Sequence, residues 1–412
     1  MIRFIHCADL HLGRPFQMTK LMNQAMVNRA IRATYESFSA IVQEAIRKKV
    51  DFVLVSGDVY HEEDRSIHAQ WFFKQQAEKL HQANITLYVI HGNHDPLIQK
   101  EQLIAMPENV HIFPTHVSRT VHTTQSGERA IIYGFSYPER AFMNDPVPLF
   151  KKLKEDEAYH IGLLHGQENG LVDHDPYAPF STVDLKNVGF DYWALGHVHK
   201  RQVINSHPPV IYPGNIQGCH RKEQGEKGAY YVEMTKTTTT FTFFGTGPVQ
   251  WQDITVKVND MKSIDELMAY TLDTITHLSS SHMYMIHLYF TGPGVLHETL
   301  IKKKVQEDLM DILQEELEYD SIWIDKLTVN TAPEIIREKW RHKDHIIGDV
   351  IRVREDLSHN DSWKESLSSL INHRKIAPFV EQLTEEDEEE ILTKAETMIV
   401  TALLEEGKTY ED

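Results

Sequence analysis

Five short apolar runs in the first 200 residues each break off into a polar loop carrying aspartate, histidine or asparagine, usually beside glycine. The loops are Asp9-Leu10-His11, Gly57-Asp58, Gly92-Asn93-His94-Asp95, His165-Gly166 and Gly196-His197-Val198-His199. Short apolar runs closed by turn residues predict buried strands. Up to Phe244 such runs are Ile2 to Cys7, Phe52 to Ser56, Leu87 to Ile90, Ala130 to Tyr133, His160 to Leu164, Tyr192 to Leu195, Val210 to Tyr212, Ala229 to Met234 and Thr239 to Phe244. Between the first two, Phe38, Ile41, Val42, Ala45 and Ile46 recur at helical spacing, which predicts a helix covering a sheet. The alternation defines a layered α/β architecture.

In such layers, loops at strand carboxyl ends line one crevice, so Asp9 and His199 can meet although about 190 residues separate them. Carboxylates mixed with imidazoles suit divalent cations that activate water, and a pair of ions about 3.5–4 Å apart needs a carboxylate between them. Asp58 is the natural bridge. Gly57, Gly92, Gly166 and Gly196 let the backbone pass close to ions and substrate.

A Gly-Thr-Gly-Pro stretch at 245–248 breaks the pattern. Three segments are expected: a domain at 1–248, a small α/β domain at 249–330, and a helical, acidic segment at 331–412. The second reads as strand (254–258), helix (264–277), strand (283–290), helix (295–317) and strand (322–329), with Ser263 and Glu266 spaced as a reciprocal capping box. In the third, Ile391, Leu392, Ala395, Ile399 and Leu403 form an amphipathic face suited to docking on the body or on a partner.

A net charge of −18, taken as an average, disfavours phosphate-rich partners. Residues 381–412, however, hold 12 acids and 2 lysines, a net of −10, leaving −8 for the rest. Arg337, Lys339, Arg341, Lys343, Arg352 and Arg354 face three acids within 335–354, so a local basic surface is compatible with the total. Two cysteines, Cys7 and Cys219, without a C-x-x-C spacing, and no apolar stretch of membrane-spanning length lead to the expectation of a cytoplasmic protein with neither leader nor anchor.

The series D-x-H, G-D, G-N-H-D, H-G and G-H-x-H, in this order over about the first 245 residues, resembles the calcineurin-like metallophosphoesterase superfamily. The resemblance implies a β-sandwich flanked by helices. It implies one metal held by Asp9, His11, Asp58 and His199, and a second held by Asp58, Asn93, His165 and His197. It places His94 against the substrate, with Asp95 orienting its ring, and has a metal-activated hydroxide attack phosphorus in line.

Within the superfamily, Ile5-His6-Cys7-Ala8-Asp9-Leu10-His11-Leu12-Gly13, the Gly57-Asp58-Val59-Tyr60-His61 run and the Tyr212-Pro213-Gly214-Asn215 turn resemble SbcD/YhaO-type bacterial DNA repair exonucleases. This narrower resemblance implies Mn2+ as the metal, His61 as a second active-site histidine acting on DNA, and the small domain as a cap that helps admit duplex ends. It also implies homodimerisation and docking of the helical tail on an SbcC-like ATPase. The same residues admit two other readings, a phosphoesterase of small nucleotides or phosphoproteins and a non-catalytic DNA-end or partner-binding scaffold. The appended segments favour the nuclease over the first, and the complete ligand set counts against the second.

Overall fold

The computed structural model describes residues 1–16, 22–61, 66–97, 104–154, 157–169, 177–278, 282–317, 321–334, 340–342, 345–358, 363 and 385–408. Its packing divides into two units. One comprises Met1–Asp253, Ser279–His287 and Tyr319–Asp325; the other comprises Ile254–Leu278, Leu288–Glu318 and Lys326–Asp412.

The first unit holds two six-stranded sheets. Strands β1 (Ile2–Cys7), β2 (Phe52–Ser56), β3 (Thr86–Ile90) and β4 (Val110–Ile112) run parallel, with β11 (Gly228–Met234) and β12 (Thr239–Gly245) added antiparallel beside β1. In the other sheet β6 (Arg129–Gly134), β7 (Tyr159–His165), β8 (Tyr192–Gly196) and β10 (Pro209–Tyr212) are parallel, and the antiparallel strands β5 (Ser118–Thr123) and β9 (Gln202–Ser206) form its edges.

Because strand side chains alternate between faces, Phe4, Phe52, Leu54 and Ile90 meet Ile132, Ile161, Leu163 and Tyr192 in one core. The opposite set, Ile5, Cys7, Val53 and Val55, packs under helices α1 (Gln24–Lys48) and α2 (Ile67–Gln82) through Phe38, Ile41, Val42, Ala45, Phe73 and Ala77. On the far face of the second sheet, Leu185 of α3 (Thr182–Val188) joins Trp193 and Leu195. Each fully buried residue of this size stabilises the fold by about 1.5–3 kcal/mol. The expected β-sandwich flanked by helices is therefore observed. Ile46 departs from the predicted helix face and is exposed.

His6 lies on the inner face of β1, fully buried, with Nδ1 3.0 Å from the Tyr192 hydroxyl and Nε2 3.1 Å from the Leu195 carbonyl. A carbonyl only accepts, so Nε2 carries the hydrogen and Nδ1 accepts from the tyrosine. Burial holds the imidazole neutral, lowering its pKa to about 3.

A third sheet joins β13 (Val249–Lys257), β14 (Met283–Gly294) and β15 (Ile322–Pro333). The second unit carries α4 (Ile264–Thr276), α5 (His297–Leu300), α6 (Lys303–Glu316), α7 (Ile346–Ser358) and α8 (Glu385–Lys408). The single helix expected over 295–317 is two helices, α5 and α6. Ser263 caps α4 by accepting from the Glu266 N–H at 3.2 Å, but the Glu266 carboxylate reaches back to the Lys262 N–H at 2.7 Å, one residue beyond its expected partner.

In α8 the packed face differs from the predicted one. Ile347 and Ile351 of α7 cluster with Val400 and the partly buried Leu403, and Leu392 and Glu396 are buried while Ala395 and Ile399 are exposed. The face follows i, i+4 spacing through Glu396 because Arg354 of α7 pairs with that carboxylate at 3.5 Å and also with Glu389. Arg341 pairs with Glu355 at 3.1 Å and Arg352 with Asp349, so these basic groups are partly neutralised within the unit. Arg337, Lys339 and Lys343 lie outside the described residues. Among the described residues, no helix is long and apolar enough to cross a membrane.

Candidate metal centre

The parallel directions of β1, β2 and β3, and of β7 and β8, bring their carboxyl ends to a common edge of each sheet. Pairing of the first two strands continues into the loops: Asp9 donates its N–H to the Gly57 carbonyl at 3.1 Å and His11 to the Asp58 carbonyl at 3.0 Å. Asp9, His11, Asp58 and His197 all adopt positive φ, at 52°, 43°, 50° and 97°. Such conformations cost about 1–3 kcal/mol each for non-glycine residues and persist where the surroundings over-determine them. Space is equally restricted at Gly92, where a Cβ would collide with the Asp58 Oδ1 and the His165 ring.

Asp58 divides its carboxylate between two groups. Its Oδ1 accepts the His94 N–H at 3.0 Å and lies 3.5 Å from His165 Nε2, while Oδ2 lies 3.7 Å from His11 Nε2. His165 donates from Nδ1 to the Ser56 carbonyl at 2.9 Å, which leaves its Nε2 with a lone pair. That lone pair faces Asp58 Oδ1 and, at 3.0 Å, Asn93 Oδ1; His197 Nδ1 approaches the same Asn93 oxygen at 3.1 Å.

A second convergence lies beside the first. His11 Nε2 and His199 Nε2 are 3.0 Å apart, and Asp9 Oδ1 is 4.0 Å from His199 Nε2. Both oxygens of Asp9 also accept from the His197 N–H, at 3.1 and 3.2 Å. Ligand atoms of Asp9, His11 and His199 fall within 4.8 Å of one another, as do those of Asp9, Asp58 and His165.

The electrostatics match this geometry. Burial and then the neighbouring Asp58 charge push the Asp9 pKa well above its usual range. Burial, followed by His199 and His94, holds His11 well below the usual imidazole value. Adjacent buried carboxylates among converging imidazole nitrogens, with the Nε2 lone pairs of His165 and His199 directed at them, are an environment for positive charge. The donors fit divalent cations, and their mixture of oxygen and nitrogen suits transition metals.

His94 and His61 sit at the edge of this cluster. Their ligand atoms and that of His11 lie within 4.8 Å of one another. Burial, then Arg14 and His94, lowers the His61 pKa to about 4. The buried Nδ1 atoms of His11 and His61 find no hydrogen-bond partner among the described residues.

Asp95 was expected to orient the His94 ring, but the ring is held by the His61 carbonyl, which accepts from His94 Nδ1 at 3.0 Å. Asp95 instead accepts from the N–H groups of Val59 and Tyr60 at 2.9 and 3.2 Å, from Gly92 N–H at 2.9 Å and from His91 Nδ1 at 2.7 Å. It ties the Asp58 loop to the Gly92 loop. Its sequence position beside His94 suggested contact, yet consecutive loop residues point different ways.

Three supports of the cluster carry no local mark in the sequence. Glu223 accepts from His199 Nδ1 at 2.5 Å and from Arg14 Nη1 at 2.8 Å. Tyr137 and Tyr212 donate their hydroxyls to the carbonyls of His165 and Gly166, at 2.7 and 2.6 Å. Glu223 stands in the polar run His220-Arg221-Lys222-Glu223-Gln224, with no strand end to mark it.

The sandwich and its histidine- and carboxylate-lined edge define a phosphoesterase, and the chain belongs to the calcineurin-like metallophosphoesterase family: the calcineurin-like phosphoesterase profile matches residues 2–201. More particularly, the chain is similar to metallophosphoesterase YhaO of Bacillus subtilis (strain 168), with 36% identity over 405 residues and 97% of each chain covered. The profile of the metallophosphoesterase YhaO middle domain matches residues 251–332. DNA double-strand break repair protein Mre11 of Methanocaldococcus jannaschii is 24% identical over 391 residues, covering 90% of this chain and 98% of that one. The Mre11 of Saccharolobus solfataricus is 23% identical over 317 residues, covering 74% and 78%.

Proposed function

We propose that this protein is a two-metal phosphodiesterase that hydrolyses the DNA backbone as an exonuclease in repair or end processing, with Mn2+ as its metal. The observation carrying this reading is the divided carboxylate of Asp58, one oxygen facing His11 and the other facing His165. Asp9, His11, Asp58 and His199 would hold one cation, and Asp58, Asn93, His165 and His197 the other. When bound, such a pair neutralises phosphate charge and lowers the pKa of water toward neutrality.

The chain's own residues do the rest. The Ser56 carbonyl fixes the tautomer of His165, keeping its Nε2 available as a donor atom. The His61 carbonyl holds the hydrogen of His94 on Nδ1 and so fixes the ring; with a second proton on Nε2, the imidazolium would donate to phosphate oxygen or protonate the leaving oxygen. The His61 ring stacks on His94 at 5.4 Å and on this reading would contact the DNA strand.

DNA as substrate is supported by likeness to break-repair proteins that extends over most of the chain, past the phosphoesterase domain itself. On this reading 1–248 is the nuclease domain, 249–330 a cap for duplex ends, and 331–412 a docking segment for an SbcC-like ATPase, in a cytoplasmic homodimer.

The test is hydrolysis with Mn2+ of end-labelled duplex DNA, single-stranded DNA and a small aryl phosphodiester by the wild type, Asp58→Ala and His94→Ala. Release of nucleotides from DNA that both substitutions abolish is expected. Turnover of the small ester alone would replace the nuclease with a small-substrate phosphoesterase, and absence of turnover with cations bound would leave a scaffold.

A further inference from the structure

Glu223 occupies a position none of the strand-end motifs marks. Its side chain is 4% exposed, and both oxygens are committed. Oε1 accepts from His199 Nδ1 at 2.5 Å, Arg14 Nη1 at 2.8 Å and His220 Nε2 at 3.3 Å, while Oε2 accepts from the Cys219 N–H at 2.7 Å. Arg14 follows the Asp9–His11 loop by a few residues, so the arginine, the glutamate and the histidine link the first strand end to the last.

We propose that Glu223 is a positioning residue for one cation alone, the one held by Asp9, His11, Asp58 and His199, acting through the tautomer and orientation of His199; this rests on the two-metal reading above. A carboxylate has no hydrogen to give, so His199 must carry its hydrogen on Nδ1 and present the Nε2 lone pair toward His11 and Asp9. An outer carboxylate of this kind also raises the basicity of the ligand nitrogen. Arg14 and the Cys219 N–H hold the carboxylate in place, so it cannot swing in to become a ligand itself. The other ligand group has a different anchor, the Ser56 carbonyl on His165. The two groups share Asp58, but the outer anchors of their histidines, Glu223 on His199 and the Ser56 carbonyl on His165, are separate.

Glutamine at 223 cannot reproduce the pattern. Its single oxygen can serve either the His199 side or the Cys219 N–H, and its amide hydrogens must face a donor on the other side.

The experiment titrates metal-free wild type and Glu223→Gln with Mn2+, following bound ion by electron paramagnetic resonance and unfolding midpoints in parallel. The wild type is expected to bind two equivalents. Glu223→Gln should keep one at wild-type affinity and bind the other about 10- to 100-fold more weakly, losing the signal of a paired centre at limiting metal while the metal-free midpoint stays unchanged. Should that variant fail to fold, Arg14→Met is read instead, with a smaller loss at the same site. Two equivalents at wild-type affinity in the variant would overturn the proposal, as would equal weakening of both. A wild type that binds no Mn2+ would overturn the two-metal reading instead.

Discussion

His94 donates from Nδ1 to the backbone carbonyl of His61 at 3.0 Å, and the two rings stack 5.4 Å apart at an interplanar angle of 18°. The bond uses main chain, so it survives replacement of the His61 side chain. His61→Ala is therefore expected to leave the His94 ring in place and to cost less than His94→Ala on a small aryl phosphodiester. His94→Ala should lower kcat by about 10²–10⁴-fold, the range for a lost acid–base group, with metal content unchanged. Steady-state kinetics beside metal analysis checks both; equal losses would mean that the two rings act as one unit.

Asp58 tests the coupling between the ligand groups. Asp58→Asn keeps the shape but removes the charge that both groups share, so it should lower affinity for both equivalents of metal, and kcat should fall by more than about 10²-fold. Calorimetric titration with Mn2+ reads the affinity. Loss of one equivalent with the other intact would show that the carboxylate serves a single ion.

Gly92→Ala is predicted to fold and to lose metal. Its Cβ would be forced against the Asp58 Oδ1 and the His165 Nε2, displacing both side chains. Circular dichroism close to wild type combined with weakened Mn2+ binding is the expected pair of results, and unaltered binding would contradict the steric argument.

His6 sets an acid limit on the metal-free fold. Unfolded, its imidazole takes up a proton near pH 6.5, whereas the folded protein holds it neutral to about pH 3. Between those values the unfolded chain binds the extra proton, so the stability contributed by neutral His6 is present above pH 6.5 and is lost as pH falls toward 3. His6→Gln should be destabilised at pH 7.5, and the deficit should shrink at pH 5. Urea unfolding at both values checks this; a constant deficit would mean that the two hydrogen bonds, not protonation, decide its contribution.

How much of this was legible in the sequence follows from where the physics is local. The central strands were visible because both their faces are buried and they read as continuous apolar runs. β4, β5 and β9, all three sheet edges, carry no such run: β4 because Val110-His111-Ile112 is only three residues long, β5 and β9 because they are half exposed and polar, as in Ser118-Arg119-Thr120-Val121-His122-Thr123. The ligand candidates were visible because chemistry, glycine and strand end coincide in one short stretch. Glu223 and Asp95 also act through partners far along the chain, Arg14 and His199 for the one and Val59 and Tyr60 for the other, and no local pattern encodes such partners. The α8 face differs from the one hydrophobicity predicts because a buried Glu396, paired with Arg354, takes a place that hydrophobicity alone assigns to an apolar residue.

The most direct test of the two-metal account is anomalous diffraction at the manganese edge from crystals grown with Mn2+. Two peaks about 3.5–4 Å apart, one beside Asp9, His11 and His199, the other beside Asn93, His165 and His197, with Asp58 between them, are predicted. A single peak, or two that do not share Asp58, would contradict it.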